Sequence, residues 1–359
     1  MKNVFSKKRL WRIHSILGLL AGMPLLVIAV TGSLLVFKDE IEGWILPGVV
    51  GNSSTQVPGN LDERFATAAT SLPSHVLIGW RTYSEVGHSD YMYVIEEGKS
   101  DWLKLYLGPR GQPLNEPRRT RTYLMAWILE LHYAFFGGHL GLLITGILAV
   151  ILCLLGFTGI LIYRKFWSNF VTLKWGRSAR VITGDLHRKA GVIASPVLFI
   201  VGLTGAYWNI THAIHDLSEH GIYHEEKAVI RGYYNSSTSL EALLKESRAK
   251  ISDFHLTYVS LPHEQDLPIT LYGSVPSHNP LRSPYGSSVS FDAQSLSTLS
   301  VVDIREAGFW QQILDMFMPL HFGNFMGLPG KLLWCLLGFT PALLTLSGSY
   351  VFLSRTVKR

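Results

Sequence analysis

Four stretches long enough to cross a membrane contain no Asp, Glu, Lys or Arg: Ile13 to Phe37, Leu131 to Tyr163, Ala190 to His215 and Leu332 to Ser354. A transmembrane helix needs about 20 mostly apolar residues. Buried backbone in lipid must satisfy its own hydrogen bonds, so each stretch is expected to be a helix. The 48% hydrophobic content of the 359 residues agrees with several spans. The first stretch is too long, and lacks the small-residue cleavage site, for a removed signal peptide, so it is expected to be retained.

Charge then sets an orientation. The N-terminal tail (Lys2, Lys7, Lys8, Arg9, Arg12), the segment 164–189 and the C-terminal tail together hold 15 basic residues and one acid, Asp185. The rest holds 17 bases against 25 acids. By the positive-inside rule both termini and the 164–189 segment face the cytoplasm, and two large loops lie outside. The overall charge of +6 therefore reports topology and not nucleic-acid binding. A bacterial inner membrane with two periplasmic domains fits this layout. Cys153 and Cys335, the two cysteines, lie in mid-span and form no disulfide framework, CxxC zinc site or CxxCH haem-attachment motif.

The chain repeats itself. "IHSILGLLAGMPLLVIAVTG" faces "LHRKAGVIASPVLFIVGLTG", pairing His14 with His187, Gly18 with Gly191 and Thr31-Gly32 with Thr204-Gly205. "LHYAFFGGHLG" faces "LHFGNFMGLPG", both L-H-[YF]-x-x-F-x-G-x-x-G, pairing His132 with His321; further on, Thr158-Gly159 meets Ser347-Gly348. The loops echo this. "DWLKLYLGPRGQPL" and "SSVSFDAQSLSTLSV" alternate like strands and then turn, "HVLIGWRTYS" and "YMYVIEE" add strands, and "SLEALLKESRAKI" has helical spacing. The expected fold class is an integral membrane α-helical protein with four transmembrane helices in two parallel repeats. Each repeat carries an outer α+β domain with its own antiparallel sheet. The expected segments are a tail 1–12, helix 13–38, outer domain 39–122, interfacial helix and span 123–163, linker 164–183, span 184–210, outer domain 211–310, interfacial helix and span 311–354, and tail 355–359.

A single histidine at a membrane edge is often just packed and hydrogen-bonded. Four that recur with their glycines suggest a site, because ionisable groups inside spans are costly and usually functional. His14 stands one turn before Gly18, and His187 one turn before Gly191. A small residue there leaves a slot for a flat macrocycle, and imidazole is a common axial ligand of haem iron. If equivalent residues face each other, His14 with His187 and His132 with His321 hold two b-type haems, one toward each side. Arg12 and Arg188 are candidates for the propionates of the inner haem, or else anchor the membrane end. Depth raises a difficulty. From His132 to Arg164 a continuous helix would run about 48 Å, so it must protrude or break at Gly137-Gly138. His139 and His212 are better placed by depth and compete for the outer haem. His212 and His215 also form H-x-x-H, a weak zinc pattern. There is no Walker motif, serine elbow, GxGxxG or HExxH. Electrons must then come from a quinol or a separate reductase.

On these residues the chain resembles the PepSY-associated transmembrane helix family of iron-regulated inner-membrane proteins. The resemblance runs through "WRIHSILGLLAG…TGSLLVFKDEI", "LHYAFFGGHLG…GFTGILIYRK", "GDLHRKAG" and "PLHFGNFMG". It implies that the outer domains are PepSY-like. The usual D-P-x-T-G turn of such domains is degenerate here, as Gly108-Pro109-Arg110-Gly111 and Asp292-Ala293-Gln294-Ser295. That puts any peptidase-inhibitor role in doubt. Better-understood members resemble ferric-siderophore reductases with two b haems, ferrioxamine reductases among them. The resemblance thus implies an inner-membrane oxidoreductase that reduces a periplasmic ferric siderophore. Two alternatives stand beside it: a non-enzymatic membrane module binding peptide or envelope partners, and an electron-transfer subunit for another periplasmic acceptor.

Overall fold

The structure is a computed structural model that describes residues 6–50, 60–82, 88–163, 177–220, 228–235 and 237–356. Most of the expected linker (164–176) and the ends of both tails lie outside the described residues. In chain order, α1 (Lys7–Leu35) is followed by α2 (Lys38–Ile45), α3 (Leu61–Ser71) and the strands β1 (His75–Arg81), β2 (Asp90–Glu96), β3 (Trp102–Leu107) and β4 (Arg118–Arg119). Then come α4 (Leu124–Ala134), α5 (Gly138–Ile162), α6 (Ala179–His220) and α7 (Leu240–Lys250). The strands β5 (His255–Ser260), β6 (Ile269–Ser274), β7 (Ser287–Phe291) and β8 (Thr298–Val302) precede α8 (Phe309–Asp315), α9 (Phe317–Phe322), α10 (Gly327–Gly338) and α11 (Thr340–Thr356). The chain divides into a helical unit (1–37, 128–223, 320–359) and a sheet unit (38–127, 224–319).

In the helical unit, four segments are long and apolar enough to cross a membrane: Lys7–Leu35, Gly138–Ile162, Ala179–His215 and Gly327–Ser354. Side chains such as Leu20, Met23, Leu140, Ile214 and Leu336 are exposed and have only lipid-like chemistry to offer. The protein is thus a multi-pass membrane protein. α1 packs on α5 and on α10–α11, and α6 packs on the same partners, which places α1 and α6 on a diagonal of the bundle. Close approach relies on small residues, as is usual between membrane helices. A Cβ on Gly202 would meet Cys153 Sγ at 2.7 Å, and Thr345 Oγ1 donates to the Gly22 carbonyl at 3.1 Å. Cys153 and Cys335 are free thiols.

Several expected boundaries shift. Helix α1 already begins at Lys7, inside the expected tail, and α6 runs on to His220, past the expected end at 210. The apolar run ends near His215, and the helix continues beyond it through Asp216–His220. The second span breaks, one of the two outcomes that depth allowed. α4 ends at Ala134, Phe135 and Phe136 take positive φ (47° and 60°), and α5 starts at Gly138 with φ 52°. The second copy does likewise, with Gly327 (φ 60°) opening α10. A break frees carbonyls at the end of the preceding helix. Asn209 Nδ2 donates to the Tyr133 carbonyl at 3.0 Å, and Trp334 Nε1 donates to the Leu320 carbonyl at 2.7 Å. The second glycine of each G-x-x-G admits the folded-back chain. A Cβ on Gly141 would overlap the Ala134 carbonyl oxygen, and one on Gly330 would sit 2.9 Å from the Gly323 oxygen.

The sheet unit differs from the expectation of two separate sheets. It holds one antiparallel eight-stranded sheet in the order β4-β3-β2-β1-β5-β6-β7-β8. Two four-stranded meanders join where β1 pairs β5, with Gly79 opposite Ser260, Trp80 opposite Val259 and Arg81 opposite Tyr258. Left apart, each meander would expose a long edge with unpaired backbone groups. One face is the core: α3 (Leu61, Ala68), with Leu72 just after it, and α7 (Leu240, Leu243, Leu244) lie over Leu77, Met92, Leu105, Val259, Leu271 and Val289. Both helices are capped as their sequences suggest, by Asn60 and Ser239. The opposite face carries a buried lysine, Lys104, whose Nζ lies 3.7 Å from Glu42 of α2 and 4.4 Å from the Tyr91 and Tyr106 rings. Burial pushes this ammonium down to about 8, and the nearby Glu42 carboxylate offsets part of that shift.

On the core face the carboxylate of Asp90 accepts from buried Arg64 and, at 2.9 Å, from Trp80 Nε1. Asp90→Ala strips a buried guanidinium of its counter-charge. Breaking such a pair costs about 3–5 kcal/mol. The expected result is a clear fall in the melting temperature of the full chain in detergent, and Arg64→Met/Asp90→Leu should recover much of it.

Candidate functional site: two histidine pairs

His14 and His187 sit near the N-terminal ends of α1 and α6, and the bundle diagonal brings them together. Their ring centroids are 6.4 Å apart with planes at 87°. His132, in the last turn of α4, meets His321, in the last turn of α9, also at 6.4 Å, with planes at 71°. All four side chains are half-buried. Each pair takes one member from each half of the chain. His139 and His212, the competing outer ligands, stand outside both ring pairs, and His212 is exposed. The depth problem that favoured them disappears once the chain breaks between α4 and α5.

Each histidine has a hydroxyl and a glycine behind it. His14 Nδ1 lies 2.9 Å from Thr158 Oγ1, and His187 Nδ1 lies 2.9 Å from Ser347 Oγ. His132 Nδ1 lies 3.1 Å from Thr31 Oγ1, and His321 Nδ1 lies 2.7 Å from Thr204 Oγ1. The glycine that follows each hydroxyl faces Cε1 of the same ring. A Cβ would stand 3.6 Å away at Gly159, 3.1 Å at Gly348, 2.8 Å at Gly32 and 3.3 Å at Gly205. These four Thr/Ser-Gly dipeptides were visible as matched repeats in the sequence, yet their role was not. Their recurrence at the far end of each span was the available signal. Trp208, 5.3 Å from the His321 ring, was missed as well.

The residues expected to shape the slot and hold propionates fare differently. At Gly18 and Gly191 a Cβ would make ordinary contact with Leu155 (3.8 Å) and Leu344 (3.7 Å), so no neighbour in the chain demands glycine there. Arg12 is exposed. Arg188 is engaged by Asp185 at 3.2 Å, and Lys189 contacts the other oxygen of the same carboxylate at 3.1 Å. The sequence had not suggested this acid-base cluster within two residues of His187, in which Asp185 and Lys189 are buried.

Chemically, each pair offers two imidazoles at a spacing that admits one metal ion between them. Two metal–imidazole bonds of about 2 Å each, plus the two ring radii, come close to the observed separation. Among the described residues no three His, Cys, Asp or Glu side chains cluster as a metal cage. Each pair thus presents two imidazoles and, among the described residues, no third such donor.

The chain is 25% identical over 252 residues to the uncharacterized protein PA4219 of Pseudomonas aeruginosa, covering 64% of this chain and 63% of that protein, just under two thirds of its length. The family described as the PepSY-associated TM region matches residues 11–355, which takes in all four histidines and both units, and the chain belongs to it.

Proposed function

We propose that this protein is an inner-membrane oxidoreductase that holds two b-type haems and passes electrons across the membrane to a ferric siderophore in the periplasm. The carrying observation is the duplicated histidine pair, with 6.4 Å between ring centroids in both copies. Two facing imidazoles, with no third His, Cys, Asp or Glu clustered beside them among the described residues, would suit haem. His14, His187, His132 and His321 would hold the two haems, which when bound would supply one-electron transfer.

The chain's part is to hold, space and shield. His14 and the hydroxyl beside His132, that of Thr31, are 17 residues apart on α1, and His187 and Thr204 are 17 apart on α6. At 1.5 Å per residue this separates the pairs by about 25 Å along the helices, most of a hydrocarbon core about 30 Å thick. The basic termini face the cytoplasm in this reading, and the sheet unit forms the periplasmic docking surface. Arg12 would be free to meet a propionate, whereas Arg188 would have to leave Asp185. The electrons come from a quinol or a separate reductase. One quinol, oxidised to quinone with loss of two protons, supplies two electrons, and each converts one ferric ion to ferrous. Hard oxygen ligands grip ferrous iron far less tightly, so the metal is released.

The test is the absorption spectrum of the purified protein, followed by mixing the reduced protein with ferric siderophores. A Soret band, low-spin b-type features and reoxidation by the chelate are expected. A protein without a Soret band would instead support the membrane module that binds peptide or envelope partners. Reoxidation by other acceptors but never by ferric chelates would support the electron-transfer subunit.

A further inference from the structure

The hydroxyl behind each histidine has already committed its only proton. Thr158 Oγ1 donates to the Leu154 carbonyl at 2.7 Å, Thr31 Oγ1 to Val27 at 2.7 Å, Thr204 Oγ1 to Ile200 at 2.8 Å and Ser347 Oγ to Leu343 at 2.7 Å. This back-bonding to the carbonyl four residues earlier is a habit of Ser and Thr inside helices. An oxygen whose proton is spent can only accept, so the imidazole must donate. A second acceptor points the same way. The Ile28 carbonyl lies 3.0 Å from His132 Nδ1. Carbonyls of Leu155, Leu344 and Val201 are the backbone partners of His14, His187 and His321. Each of the four is the residue three before its Thr or Ser. A carbonyl cannot donate, so Nδ1 carries the hydrogen in every case. The lone pair of a neutral imidazole is then on Nε2.

We propose that Thr31, Thr158, Thr204 and Ser347 are positioning residues that lock the four histidines as neutral Nδ1–H tautomers with Nε2 left free to bind metal. The following glycine lets the ring edge lie close enough for the bond to form. The hydroxyls touch no metal themselves. Their role parallels the outer partners that orient metal-bound histidines and raise their basicity. The proposal rests on the haem reading for its purpose, but the tautomer belongs to the chain alone and is measurable without haem.

The experiment therefore has two arms on the full chain in nanodiscs. In the first, 15N-histidine spectra of haem-free protein are compared with those of His14→Asn and His132→Asn to locate the ring signals. Nδ1–H shifts at both positions are expected, and Nε2–H shifts would overturn the proposal. In the second, haemin is titrated into Thr31→Val, Thr158→Val and their Thr→Ser counterparts. The valine variants should bind haem roughly 10–100-fold more weakly and with a changed reduction potential, and serine should restore both. Valine variants that bind like the parent, with the parent's potential, would overturn it. Because serine keeps the hydroxyl in nearly the same volume, its rescue separates positioning from misfolding. If the parent takes up no haem yet shows Nδ1–H, the haem reading fails while the tautomer lock stands.

Discussion

If the protein holds two haems, haem content in His132→Ala should fall from about two to about one per chain, while His139→Ala and His212→Ala should keep both. Pyridine haemochromogen analysis of the purified variants measures this directly. The expectation rests on the short distance from His132 to His321 and on the break at Phe135 and Phe136, which turns α4 so that its last histidine meets its counterpart. His321→Ala should match His132→Ala, and His14→Ala should remove the other haem. If His139→Ala lost a haem and His132→Ala did not, the outer pair would have to be redrawn.

The second large effect is graded, and it falls on glycines that no charge or motif marks as functional. Alanine at Gly32 brings a Cβ to 2.8 Å from His132 Cε1, which forces the ring off its hydroxyl and out of register with His321. Haem affinity at that pair should fall about 10–100-fold, the range for lost outer support of a metal ligand. Gly348→Ala (3.1 Å) and Gly205→Ala (3.3 Å) should lose progressively less, and Gly159→Ala (3.6 Å) little. Helix propensity pushes the other way, since alanine favours a helix over glycine by about 1 kcal/mol. Haem titration and thermal melting of the haem-free protein should therefore move in opposite directions at Gly32. At Gly18, where the protein neighbour is an ordinary 3.8 Å away, alanine should raise the melting temperature of the haem-free protein.

How much of this was legible in the chain depends on range. Charge-free length marked the four spans, because lipid tolerates little else. Repeated histidines marked the candidate ligands, and Thr/Ser-Gly recurred in plain view. Pairing His132 with Thr31, however, brings together residues from different helices, and neither helix's own periodicity reports on it. The same limit explains the sheet. Alternation revealed strands β2, β3, β7 and β8 and their turns, but the pairing of β1 with β5 joins segments far apart in the chain, and local pattern carries no record of such a partner. The breaks before α5 and α10 were half visible. Depth allowed one, and glycines offered a place, yet the positive φ at Phe135 and Phe136 contradicts the ordinary preference of bulky residues.

Each ring pair borrows one histidine from either half of the chain, while each histidine takes its hydroxyl from its own half. Neither half can therefore complete a bis-histidine site alone, although each is equipped to aim its rings. A ligand bridging them would act as a staple driven through the middle of the bundle, and any ligand that binds only the assembled form stabilises it by mass action. Cofactor supply would then govern how much of the protein survives in the membrane, as well as how fast it works.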